Sequence, residues 1–342
     1  MSALRLDDIA KRAGVSVAAV SIALNDPHTK RVGPEKRKEI LRIAADLGYA
    51  PNGLAKALAE QRTRIVGLMV PLRDPIFFNH FIAQALSGIQ ATLKVRGYNL
   101  LVYSPSGRPG RATQDQILES RFTDGLIYIN TRSCTTRDVA ETIAELDAAK
   151  IKFSMMNAYY GRAEVNYVGA DDPEIGRMAV NHLVERGHRR IAFLSGSDKL
   201  PTHIHLLQGL NSSLERYRLT LPPEMIGCTG YDQAEAFRIL DRWFMTKRQK
   251  PSAIFCADDQ LLIHLYDYLE ARGLNTPRDV AVLARGVSSV LELLRPRPTG
   301  IFIPTFEMGK LAANMLIDSL ETPEQERRRV LLPSTLRLGQ TT

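Results

Sequence analysis

Over residues 1–49 the apolar positions recur at helical spacing. Leu6, Ile9, Ala10 and Ala13 share a face, and Asp7 and Asp8 suit a first turn. Gly14-Val15 breaks that pattern. Ser16 is a good N-cap for a second helix, Val17 to Leu24, and Asn25-Asp26-Pro27 stops it. Pro34 opens a third helix to Leu47, with Ile40, Leu41, Ile43 and Ala44 apolar and Gly48 just past its end. Residues 50–62 are alanine-rich with little to bury. A segment that short is marginal as an isolated helix, so it reads as a linker that is helical only when held.

From Arg64 the period changes. Short apolar runs predict strands at Ile65–Val70, Tyr98–Tyr103, Gly125–Ile129, Phe153–Met156, Ile191–Leu194, Ala253–Cys256 and Val280–Leu283. Helical patterns lie between them at 82–96, 135–149, 173–186, 204–218, 233–244 and 260–272. This alternation predicts an all-α head followed by an α/β core of parallel sheets with helices on both faces. Two such sheets would hold a small molecule in the crevice at their carboxyl ends.

The length, 342 residues, allows two or three domains at about 100–200 residues each. With 44% hydrophobic and 24% charged residues, a disordered chain or a small disulfide-stapled scaffold is excluded. Cys134, Cys228 and Cys256 show no CxxC spacing and fit buried thiols in a reducing compartment. No window approaches the ~20 apolar residues of a membrane span, and Met1–Asp8 has no signal-peptide core. The expected location is the cytoplasm, with no membrane partner. The net charge is +8, and residues 1–62 carry +4 of it. A basic terminal module suggests a polyanion partner, although a solvated face can be equally basic.

Helix, glycine turn and Ser16-capped second helix form a helix-turn-helix pattern, whose second helix can place its N-terminal residues at base edges in the major groove. Residues Leu6 to Ser21, running Leu-Asp-Asp-Ile-Ala-Lys-Arg-Ala-Gly-Val-Ser-Val-Ala-Ala-Val-Ser, resemble the "DIAxxAGVSxxTVS" opening of the LacI/GalR family of bacterial transcriptional regulators. Further matches follow in order. Leu47 to Asn52 resembles "LGYxPN", and Asp124 to Ile127 resembles "DGLI". His182 to Phe193 resembles "HLxxxGHRRIAF", and Pro251 to Asp259 resembles "PTAIFxxND".

The resemblance implies a helix-turn-helix head at 1–49, a hinge at 50–62 and an effector-binding, dimerising core at 63–342. It implies a core like a periplasmic binding protein, with two doubly wound parallel-sheet subdomains joined by three crossovers. One subdomain would hold about 63–164 and 302–322, the other about 165–301 and 323–342. It implies a homodimer on a near-palindromic double-stranded operator, in the cytoplasm at the nucleoid. The DNA-facing residues would be Ser16, Val17, Ala18, Ser21, Ile22, Asn25, Tyr49, Asn52 and Ala55, with Leu58 as an apolar wedge in the minor groove. Plain packing of a linker helix is the alternative for Leu58, and inward packing for Ile22.

The chain also departs from the family. Val17, Ala18 and Ile22 cannot donate or accept a side-chain hydrogen bond, whereas reading G or A usually takes Arg, Lys, Asn or Gln. In the core, residues matching polar anchors of sugar-binding members are replaced: Leu206 for an Arg, Gly286 for the first Asp of "GFDD", Ile303 for a polar residue, Asp258 for an Asn and Asn157 for an Asp. The expected effector contacts are Phe81, Asn157, Leu206, Tyr231, Asp258, Arg285 and Ile303. Arg285 could pair an anionic ligand or form a surface salt bridge. Phe81 and Phe77 are rival alignments for one stacking aromatic. The effector would be a sugar, a sugar derivative or an acidic metabolite.

An enzyme is not expected. GxxxxGK[ST], GxGxxG and HExxH are absent. His203 and His205, two apart on a helix, point away from each other, so no metal or cofactor is expected. Two functional classes remain. One is a ligand-responsive DNA-binding regulator, most simply a repressor. The other is a dimeric DNA-binding or architectural regulator whose core no longer senses an effector.

Overall fold

The computed structural model describes residues 5–25, 31–49, 57, 62–71, 79–103, 122–131, 134–157, 161, 164–245, 250–286, 291–322 and 324–342. The chain divides into two compact units, Met1–Arg64 and Ile65–Thr342.

Among the described residues of the first unit, three helices pack together: α1 (Leu6–Ala13), α2 (Val17–Asn25) and α3 (Pro34–Asp46). Ile9, Ala10 and Ala13 of α1 meet Val20 and Ala23 of α2 and Ile40, Ile43 and Ala44 of α3 in one small core. Gly14 ends α1 in the left-handed conformation, φ 64°, and its N–H donates to the Ala10 carbonyl.

The second unit alternates as the sequence pattern requires. Its elements are β1 (Ile65–Met69), α4 (His80–Arg96), β2 (Asn99–Tyr103), β3 (Gly125–Ile129), α5 (Thr136–Ala148), β4 (Phe153–Met156), β5 (Asn166–Ala170), α6 (Asp172–Glu185), β6 (Ile191–Ser195), α7 (Pro201–Arg216), β7 (Ile226–Cys228), α8 (Gln233–Met245), β8 (Ala253–Cys256), α9 (Asp259–Ala271), β9 (Ala281–Gly286), β10 (Thr299–Phe302), α10 (Thr305–Glu321), β11 (Arg329–Leu332) and β12 (Thr335–Arg337). They form two six-stranded sheets, ordered β11-β5-β4-β3-β1-β2 and β12-β10-β9-β8-β6-β7. Every pairing is parallel except β10 with β12 at the edge of the second sheet. The chain passes between the sheets three times: after β5, after β10 and after β11.

Two of these passages lie later than the sequence suggests. Residues 165–170 and 323–332 were expected in the second subdomain. Instead β5 runs parallel to β4, with Ser154 opposite Asn166, and β11 runs parallel to β5, with Arg329 opposite Tyr167. β5 carries Asn166 and Gly169, and β11 alternates exposed with half-buried residues, so neither reads as a continuous apolar run.

In each half, glycines bring two helices into backbone contact. A Cβ on Gly88 of α4 would overlap the Phe306 carbonyl of α10, and one on Gly309 would overlap that of Ala85. In the other half, Gly176 of α6 and Gly209 of α7 stand the same way against Leu206 and Pro173. Among the described residues no helix is long and apolar enough to cross a membrane. All three cysteines are free, with Cys134 and Cys256 buried.

Burial lowers the pKa of His182, His188 and His203 below the usual 6.5, and Arg186 lowers that of His182 further. The folded chain therefore keeps these rings neutral where the unfolded chain begins to protonate them. Their contribution to stability is complete above the unfolded pKa and is lost as the pH falls through that value toward the folded ones. We expect the urea midpoint of the core to be lower at about pH 5.5 than at about pH 7.5. An equal or higher midpoint at the lower pH contradicts this.

Candidate DNA-binding head and effector cleft

Ser16 Oγ accepts a hydrogen bond from the Ala19 N–H at 3.2 Å and so starts α2. At the other end of α2, Arg37 Nε of α3 donates to the Ala23 carbonyl at 3.1 Å, locking the two helices together. This framework leaves Val17 and Ala18 exposed, with Val17 42% accessible. Ser21 and Ile22 are half-buried, and Ile22 packs against the core of the head with Ala19 and Leu24. Tyr49 is also half-buried against that core, and its N–H donates to the Ala44 carbonyl. Of the DNA-facing residues expected from sequence, Ser16, Val17 and Ala18 form the outer surface at the start of α2. Ile22 takes the inward alternative. Asn52, Ala55 and Leu58 lie outside the described residues, as does Phe77, and of Asn25 only the backbone is described.

In the core, the carboxyl ends of the strands carry the polar groups. Asn157 follows β4 with φ 71°, and its Nδ2 donates to the Asn130 carbonyl, after β3, at 2.9 Å. Tyr231 follows β7 with φ 65°, and its ring lies where a Cβ on Gly196, after β6, would fall. The Gly230 N–H donates to the Gly196 carbonyl at 2.6 Å and the Tyr231 N–H to Thr229 Oγ1 at 3.0 Å, which fixes the turn. Asp258, after β8, caps α9 by accepting from the Gln260 N–H at 2.8 Å.

Arg285, near the end of β9, differs from both alternatives read from sequence. It is neither a surface salt bridge nor an open anion clamp. Its Nε and Nη2 donate to Asp172 Oδ1 at 3.2 and 2.9 Å, with the side chains only 10% and 2% exposed. Asp172 is the first residue of α6, where the helix dipole favours a negative charge. Leu206 and Ile303 are buried in the core interior at 0% and 4% exposure, and Phe81 is half-buried against the same core.

A family model described as "Bacterial regulatory proteins, lacI family" matches residues 5–52, and one described as "Periplasmic binding protein-like domain" matches residues 180–342. Over residues 5–52 the chain thus carries the DNA-binding domain of the LacI family of bacterial regulatory proteins. It is 26% identical over 331 residues to the ribose operon repressor of Haemophilus influenzae, with 96% of each chain covered. It is 27% identical to the NTD biosynthesis operon regulator NtdR of Bacillus subtilis, covering 98% of this chain and 99% of that one. Among solved structures, the Lac repressor bound to ONPG superposes with a TM-score of 0.83 at 22% identity, covering all of both chains. The CelR–cellobiose complex superposes at 0.72 with 26% identity, covering 99% and 100%.

The partner of Arg285, which sequence reasoning missed, is Asp172. The Asp171-Asp172-Pro173 run did signal a helix start, and Asp171 takes the cap by accepting from the Glu174 N–H at 2.9 Å. The second carboxylate is thus left for another partner, 113 positions along the chain. The two histidines of α7 diverge as expected. His203 is buried beside Phe193, with Nδ1 4.0 Å from Cys228 Sγ, whereas His205 is bonded at the surface to Gln208. Among the described residues no group of three or more His, Cys, Asp and Glu could hold a metal ion.

Proposed function

We propose that this protein is a sequence-specific DNA-binding transcriptional repressor. It acts as a homodimer in the cytoplasm, at the nucleoid, by binding rather than by catalysis. A small molecule held between the two halves of the core modulates its affinity for the operator. The observation that carries this reading is the joining, in one chain, of a Ser16-capped recognition helix to a core of two parallel sheets. The head occupies residues 1–49, the hinge 50–62 and the core 63–342. Asn52, Ala55 and Leu58 extend the DNA surface into the minor groove. A core relative, CelR, is described in complex with cellobiose, and another structure of this fold with ribose.

Asn157, Tyr231 and Asp258 supply polar and stacking groups at the carboxyl ends of the strands. Arg285 is neutralised by Asp172, so an acidic metabolite loses the counter-charge that recommended it. A neutral sugar or sugar derivative is favoured. Leu206 and Ile303, at positions of family anchors, fill the core instead. Their burial also favours a second reading, a ligand-blind dimeric regulator.

Selection of genomic fragments with the purified full chain, at fixed salt and with or without pooled metabolites, separates the outcomes. The expected result is a short palindromic site whose retention changes with one pool. A palindrome indifferent to every pool supports the ligand-blind reading. Retention without sequence preference overturns both.

A further inference from the structure

The nine residues of α2 contain no charged side chain. Val20 and Ala23 are buried, and Ala19, Ile22 and Leu24 pack on the head core. Ser16 Oγ is committed to the Ala19 N–H. The outward surface at the N-terminal end of the helix is thus Val17 and Ala18, with Ser21 half-buried beside them. Asn25 stands about 12 Å farther along the axis, away from the residues that meet base edges in this motif. The one apolar feature on a base edge in the major groove is the 5-methyl group of thymine.

From this geometry we infer that α2 reads pyrimidine 5-methyl groups through Val17 and Ala18, so that the operator is recognised by its methylation pattern as much as by its bases. The inference rests on the DNA-binding reading above and specifies its chemistry. Cytosine carrying a 5-methyl group presents the same apolar knob as thymine. Methylation of the operator at these positions would therefore strengthen binding, whereas loss of the thymine methyl weakens it.

The test uses the tightest duplex that the full-length protein selects from a random-sequence pool, at fixed salt. Deoxyuridine replaces each thymine in turn, symmetrically in both half-sites. Each buried methyl is worth about fourfold in affinity, so a symmetric pair facing Val17 or Ala18 should cost about fifteenfold. At the same positions, 5-methylcytosine should bind more tightly than cytosine by the same factor. Val17 is exposed, so Val17→Ala should leave the head folded, reduce the deoxyuridine effect at one symmetric pair and spare the others. Three results overturn the inference: equal binding of all deoxyuridine duplexes, equal binding of cytosine and 5-methylcytosine, or dependence dominated by guanine N7, seen with 7-deazaguanine. In each of these the DNA-binding reading survives, because a duplex was selected. If no duplex is enriched, that reading fails as well.

Discussion

Arg285→Met is expected to lower the stability of the core by about 3–5 kcal/mol, the range for removing one partner of a buried ion pair. The residue left behind decides the size. Asp172 is 2% exposed, and its Oδ1 accepts from both Nε and Nη2 of Arg285. Without the guanidinium, the carboxylate loses its charge partner in a place water hardly reaches. The helix dipole at the start of α6 offsets only a fraction of this, since such a terminus contributes about 0.3–1 kcal/mol, and up to ~2 when partly buried. The double variant Asp172→Asn, Arg285→Met should recover much of the loss, because replacing a whole buried pair removes its desolvation cost too. Urea unfolding measures both, as a shift in midpoint at constant slope. A single-variant loss below ~1 kcal/mol would show that Asp172 does not depend on Arg285.

Gly88→Ala should be comparably damaging, at about 3 kcal/mol or more, the upper end of the cost of overpacking. Intrinsic propensity points the other way, since Ala favours a helix interior over Gly by roughly 0.5–1 kcal/mol. Packing wins because the nearest atoms the new Cβ would meet are all backbone: the carbonyl of Phe306 and, at 3.1 Å, the nitrogen of Lys310. No rotamer relieves such a contact. α4 and α10 would have to separate, loosening Ala85, Ile89, Ala312 and Leu316, all buried in the same core. The adjacent Ser87→Ala, at a residue exposed on α4, should change stability by less than about 0.5 kcal/mol and serves as the control. Equal midpoints for the two variants would mean that the helix pair tolerates a wider spacing.

Elements whose apolar residues run unbroken were legible to the residue. Gly125–Ile129, Phe153–Met156 and Ala253–Cys256 are such strands, each buried throughout. A helix start was legible where a cap carried it, as at Ser16, whose side chain accepts from the backbone three residues on. Ile226–Cys228 has only three residues and a glycine at its centre, so its strand character comes from pairing with β6 rather than from its own pattern. Asn166–Ala170 and Thr299–Phe302 likewise gain their form from neighbours in the sheet.

The site was legible unevenly for a similar reason. Exposure of Val17 and Ala18 follows from local helix geometry, which the 3.6-residue period states directly. The pairing of Arg285 with Asp172 depends on bringing β9 beside the start of α6, which no local spacing encodes. Substitution of apolar residues for family anchors was visible at Leu206 and Ile303. What those side chains do instead, filling the core, required the packed structure.

Recognition of DNA sequence by the head is tested most directly by fluorescence anisotropy. The full-length protein would be titrated against the selected palindromic duplex and against a shuffled duplex of identical composition, both near physiological salt. The expected result is binding of the palindrome at least about a thousandfold tighter, the lower edge for specific over non-specific complexes. Equal affinities that weaken together as salt rises would show attraction to the phosphate backbone alone and would contradict the account.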